Sequence, residues 1–432
     1  MSIFVAILAL SFLILVHELG HFTAAKLLGV KVLGFSIFMG PKLISYTKGD
    51  TTYAIRLIPI GGSVRMEGEE ESSEDSRAFN NKPKWVRAVI LSAGSFMNLI
   101  TALILMLILN LNAGYLVNEL NTIQPGSPVD IASVQLLPGD VITKYNGKTV
   151  HTPSEISVYL QDSKGASAEV TFVRNGEVMT TNVKPEVIPA VYHVLGFSGS
   201  TAYGDDWSLA AAVDEEGSAY DAGMRAGDRL VSVNDQTPKN REELREILAQ
   251  FDGQPVTMRY ERGGEIFSGL VEPRVVENVE TYVLGVSFME VKTPGLLDSI
   301  KYAVYDSVAF GRLVLYSLKW LVTGDVGVSQ MSGPVGIVTA IGDVVESGKT
   351  FRESLFGLMQ FVALIGINLG LFNLIPFPAL DGSKLLLLAV EAVRRKPIPP
   401  ERETVISMVG FALLIVLMVF TVFNDISRLV AK

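Results

Sequence analysis

Cysteine is absent from the 432 residues, and histidine occurs only four times. The first absence excludes disulfide frameworks and thiolate metal sites, so any metal must be held by imidazole and carboxylate. Basic charge is also scarce: 36 Lys and Arg stand against 45 Asp and Glu, giving a formal net charge of -9. Phosphate backbones need a basic face, so no nucleic acid is expected as a partner. Charged residues make up 19% of the chain and hydrophobic ones 49%. That balance points to a chain that lies partly in a lipid bilayer.

Four segments read as transmembrane helices: 3–28, 88–111, 355–380 and 405–423. About 20 apolar residues in a helix cross the hydrocarbon layer, and the last three are uncharged. The first is interrupted by two histidines and a glutamate. It lacks the basic start and small-residue cleavage site of a signal peptide, so it reads as a retained span. Basic residues gather in 26–87 and again around Arg394, Arg395, Lys396 and Arg402, whereas 114–294 is acidic on balance. The positive-inside rule then makes both basic loops cytoplasmic, with the middle region and both termini outside.

The middle region contains an internal repeat. One copy has Gly126-Ser127-Pro128, Pro138-Gly139-Asp140 and Asn146-Gly147; the other has Gly217-Ser218-Ala219, Ala226-Gly227-Asp228 and Asn234-Asp235. In each, a Gly-Asp turn leads to a short apolar strand, then a helix (153–161, 240–251), then alternating strands (168–174, 255–262). Each copy is expected to close on a similar tetrapeptide, Val194-Leu195-Gly196-Phe197 or Val283-Leu284-Gly285-Val286. The copies resemble the PDZ domains of bacterial proteases, which bind extended peptides along a sheet edge. Downstream, 295–322 and 335–345 read as helices that either lie along the membrane or form a packed linker.

The strongest chemical signal is His17-Glu18-Leu19-Gly20-His21. Helical residues four apart share a side, so His17 and His21 suit one Zn2+ ion, with Glu18 beside them as general base. Such groups are costly inside an apolar span and mark a functional site there. His151 and His193 read as ordinary surface or loop residues. A third ligand is missing from the pentad. Asp381 follows the break at Pro376 and Pro378 in the third span, and is either that ligand or the cap of a following helix. The incomplete pair upstream favours the ligand.

A His-Glu-x-x-His in one span, the run from Asn373 to Gly382 in another, and PDZ-like units between them resemble the site-2 protease family. Within it, the likeness is to the bacterial branch that cleaves anti-sigma factors. The resemblance implies His17, His21 and Asp381 as zinc ligands, Glu18 as catalytic base and Asn373 as a substrate-binding residue. It also implies single-span membrane protein substrates, trimmed first by a site-1-type protease, and a home in the bacterial inner membrane with the active site towards the cytoplasm. Remnant signal peptides are a further substrate class. Departures are small: Ser383 follows Asp381-Gly382, and Ala93-Gly94-Ser95 lacks a Pro common at its third position.

The expected fold is a polytopic α-helical membrane protein with two α/β PDZ-like domains and a membrane-associated β-hairpin sheet. Its parts are the first span at 1–30, a β-rich loop at 31–87, the second span at 88–113, PDZ-like units at 114–200 and 201–294, helices at 295–350, the third span and following helix at 351–393, and the last span at 394–432. In the β-rich loop, 34–41 and 52–59 read as strands and Gly61-Gly62 as a turn. Two rivals are a membrane scaffold with a structural zinc site and a metal-ion transporter. The sequence offers neither a fourth intramembrane ligand nor the polar spans these require.

Overall fold

The computed structural model describes residues 2–69, 71–199, 207–215, 217–277, 280–293, 295–327, 331–348, 350–396, 398 and 400–431. The expected domain limits at 200–201 and 294 fall outside these. The chain forms two compact units, 1–115 with 292–432 and, inserted between those parts, 116–291.

The first unit starts with α1 (Ser2–Leu27), an apolar helix whose interior pairs its own backbone groups and whose last carbonyls accept from the amides of Leu28, Gly29 and Val30. Next come β1 (Val32–Lys48) and β2 (Thr51–Met66). Both run past the expected strand ends, and each folds back on itself. Residues 42–48 pair with 51–56, while 34–37 pair with 52–55 on one side and 62–65 on the other. Gly61, with φ of 67°, sits where β2 reverses, so the Gly-Gly turn exists inside a strand segment rather than after it. α2 (Lys84–Ala113) packs along α1.

The inserted unit contains β3 (Tyr115–Ile123), β4 (Val141–Tyr145), β5 (Lys148–Thr149), α3 (Pro153–Asp162), β6 (Ala168–Arg174), β7 (Glu177–Val183), β8 (Glu186–Ile188) and β9 (Val191–Val194). It continues through β10 (Phe197–Gly199), β11 (Ala210–Val213), α4 (Ser218–Asp221), β12 (Arg229–Val233), α5 (Arg241–Ala249), β13 (Val256–Arg262) and β14 (Glu265–Val271). It ends with β15 (Arg274–Glu277), β16 (Thr281–Val283) and β17 (Val286–Val291).

The repeat is visible atom by atom. Arg174 forks onto Asp140 at 2.8 and 2.7 Å and donates to the carbonyl of Gln135. Arg262 does the same with Asp228, at 2.7 and 2.6 Å, and with the carbonyl of Gly223. In both copies the Gly-Asp turn is thereby tied to the end of a strand 34 residues later. The tetrapeptides, however, are exchanged. The Gln124 amide donates to the Gly285 carbonyl, and the equivalent Asp214 amide donates to that of Gly196. β17 joins the first sheet, in the order β17-β3-β4-β6-β7, so Val283–Val286 belongs to the first copy and Val194–Phe197 opens the second. One copy is nested within the other, which no local pattern announces. The inner copy has its own core, including Leu195, Met224, Leu248, Met258 and Tyr260.

The chain then returns to the first unit through α6 (Leu296–Thr323), α7 (Pro334–Ser347), α8 (Phe351–Leu374), α9 (Asp381–Arg394) and α10 (Pro400–Ala431). α6 and α7 match the two helices read from the sequence. α8 ends at Leu374, earlier than the expected span, because Pro376 and Pro378 cannot continue it. Ala102, Met106, Ala303, Ala363 and Ile367 bury the contact of α2 with α6 and α8.

Among the described residues, four helical segments are long and apolar enough to cross a membrane: Ile3–Leu27, Lys84–Ala113, Phe351–Leu374 and Val405–Ser427. Their outer sides carry bare Phe12, Phe96, Ile100, Ile104 and Phe411, which hydrocarbon accommodates and water does not. The chain is an integral membrane protein.

Candidate metal centre

Three side chains converge in the first unit. His17 and His21 lie one turn apart on α1, and both are buried. Asp381 opens α9, 364 residues beyond His17. Its Oδ2 is 3.1 Å from His17 Nε2 and 3.2 Å from His21 Nε2, and the two Nε2 atoms are 3.1 Å apart. Tetrahedral zinc with bonds of about 2.0–2.1 Å places its ligands about 3.3 Å from one another. The donor set therefore fits such an ion. Among the described residues this is the group of three that could hold one.

Local structure aims each group. The turn between α8 and α9 carries Ala379 at φ of 77°, a left-handed conformation unusual for a residue with a Cβ. Strain of this kind persists where the surroundings fix it, and here it delivers Asp381 to the histidines. His21 Nδ1 lies 2.8 Å from the Ile90 carbonyl, which fixes a hydrogen on Nδ1 and leaves Nε2 facing the other donors. The amides of Asn98 and Asn373 each come within 3.5 Å of His17 Nδ1. Glu18 Oε2 accepts a 2.8 Å hydrogen bond from the Val64 amide, on the stretch of β2 that borders α1.

Every candidate site residue thus gathers here. Asp381 is the first residue of its helix, with Leu380 in the capping position, so the capping alternative does not apply. The remaining histidines are elsewhere. His151 sits beside Glu155, 3.4 Å away, at the start of α3. His193 is buried in β9, not in an exposed loop, because it is flanked by β15 in a ribbon.

Three contributors escape a reading of motifs alone: the Ile90 carbonyl, the Val64 amide and Gly94. A Cβ on Gly94 would lie 2.4 Å from His21 Nε2 and 2.7 Å from His17 Cε1. α2 can therefore press on the imidazoles only because this residue has no side chain. Its signal was the Ala93-Gly94-Ser95 run, whose small residues gave no hint of what they face.

The chain is similar along nearly its whole length to known zinc metalloproteases. The zinc metalloprotease RasP of Geobacillus kaustophilus is 30% identical over 441 residues, covering 99% of this chain and 98% of that one. The protein of the same name from Shouchella clausii is 31% identical, covering 97% of each. The regulator of sigma-W protease RasP of Bacillus subtilis is 27% identical over 96% of each chain. The model of peptidase family M50 matches residues 5–417, and with it this four-span chain belongs to that family.

Proposed function

We propose that the protein is a zinc metalloendopeptidase of the site-2 type, which hydrolyses peptide bonds within or beside the membrane spans of other proteins. The observation that carries this is the meeting of His17, His21 and Asp381 within 3.2 Å inside apolar helices. Three protein donors are the usual complement of a catalytic zinc site. When bound, zinc supplies a Lewis acid that polarises the scissile carbonyl and acidifies a water.

His17, His21 and Asp381 would hold the ion. Glu18 takes the proton of the attacking water and returns it to the leaving amine, as a general base that then serves as acid. The Val64 amide keeps the Glu18 carboxylate turned to the site. A substrate helix hides its peptide bonds, so it must unwind, and its freed backbone groups need new partners. The sheet of β1 and β2 and the amide of Asn373 are suited to supply them.

Substrates are single-span proteins of the anti-sigma factor type, after a first cut by a site-1-type protease, with remnant signal peptides as a further class. The name of the Bacillus subtilis relative, a regulator of sigma-W protease, supports that class. The two nested copies are PDZ-like units on the outer side of the bacterial inner membrane, and the basic loops face the cytoplasm. The basic residues of 26–87 and of 394–402 support this orientation.

Glu18→Gln tests the assignment. The variant keeps its zinc, while cleavage of a model membrane segment in detergent falls by about 10²- to 10⁴-fold, the usual share of a general base. Undiminished turnover would remove Glu18 from the mechanism.

A further inference from the structure

An imidazole that binds metal through Nε2 carries its hydrogen on Nδ1, and a buried N–H needs an acceptor. His21 has one in the Ile90 carbonyl. At His17 Nδ1 the neighbouring atoms are instead two amide nitrogens, Nδ2 of Asn98 and Nδ2 of Asn373, each at 3.5 Å. Two donors and an N–H cannot all face one another.

Asn98 resolves this. It is wholly buried on α2, and its carbonyl oxygen Oδ1 has no hydrogen-bond partner. Turning an amide by 180° about its last bond exchanges its nitrogen and oxygen in place. One such turn sets Oδ1 of Asn98 opposite Nδ1–H of His17 and gives that buried N–H its acceptor, and no hydrogen bond is lost from the position Oδ1 leaves. Asn373 is half-buried at the end of α8 and keeps its amide for another partner.

We infer that Asn98 is a positioning residue of the zinc site: its carbonyl accepts from His17 Nδ1–H and so presents Nε2 to the metal. The inference rests on His17 being a ligand. It also separates the two asparagines, Asn98 serving the metal and Asn373 the substrate.

The test uses the full-length protein in detergent and measures zinc affinity by competition with a chromogenic chelator. Removing an outer partner of a metal-bound histidine weakens binding by about 10- to 100-fold. Asn98→Ala shows that loss, and Asn98→Asp, whose carboxylate accepts in the same place, binds zinc at least as tightly as the parent. Asn98→Leu repeats the experiment at nearly constant volume if the cavity left by alanine unfolds the protein. Melting temperatures of the metal-free forms identify folding defects. His17→Ala is measured alongside. If it loses zinc while Asn98→Ala and Asn98→Leu bind like the parent, the role of Asn98 is overturned and the ligand set stands. If His17→Ala itself binds zinc normally, the ligand reading fails first. Equal losses in the Ala and Asp variants also overturn the proposal, since they mean packing and not acceptance.

Discussion

Gly94→Ala puts a single methyl group into the centre of the site. Non-bonded heavy atoms rest at about 3.5 Å. The new carbon would stand 2.4 Å from His21 Nε2 and 2.8 Å from His17 Nε2, so the rings must retreat by about 1 Å. Those two nitrogens are the proposed metal donors, and the Ile90 carbonyl holds His21 from its other side. Misplacement of about 1 Å at a reacting centre costs about 100-fold in rate. Overpacking adds about 1–3 kcal/mol of destabilisation. The expected result is a folded protein with weakened zinc binding and kcat/KM down by about 100-fold or more, read by chelator competition and a cleavage assay. Gly311→Ala on α6 is the control: its Cβ would meet only Leu371 Cδ1, at an ordinary 3.6 Å. Gly20→Ala separates packing from chemistry, because its Cβ would strike the backbone oxygen of Ala93 at 2.4 Å. It should lower the melting temperature of the metal-free protein more than Gly94→Ala does. A Gly94→Ala protein with parental zinc affinity and turnover would refute the tight-cradle reasoning.

Asp381→Asn exchanges a proposed charged ligand for a neutral one. It should weaken zinc binding by more than about 100-fold, beyond the 10- to 100-fold that outer partners cost; parental metal content after dialysis against chelator excludes Asp381 as a ligand. In the inserted unit, the forked contact of Arg262 holds the Asp228 carboxyl below the usual carboxylate range. A group whose folded pKa is depressed adds stability above its unfolded value of about 3.9, and that stability is lost as pH falls below it. Melting temperature should therefore fall more steeply below about pH 4 in the parent than in Asp228→Asn, and parallel curves would show that the pair is not felt. Asn373→Ala should raise KM while leaving zinc affinity unchanged; a loss of zinc instead would give Asn373 the role argued for Asn98.

How much was legible in the sequence depended on the range of each interaction. The pairing of His17 with His21 follows from helical spacing, and the break before Asp381 from two prolines, so both are local signals. The four apolar runs stand out for the same reason. By contrast, the Arg174 and Arg262 partners lie 34 residues from their aspartates, and nothing near Asp140 or Asp228 names them. The Val64 amide and the Ile90 carbonyl are backbone groups, which any residue carries, so no residue type could reveal them. The folded-back β1 and β2 were missed because each looked like one short strand; pairing of 34–37 on both sides depends on reversals near Gly40 and Gly61.

The nested arrangement of β17 beside β3 bears on how the chain matures. As a nascent polypeptide emerges, the stretch from β9 to β15 has all its own partners once residue 277 has been made. The earlier segment, β3 to β7, must wait for the last strand of the insertion before its outer rim is covered. Assembly there runs from the inside outward, and the segment synthesised first is completed last.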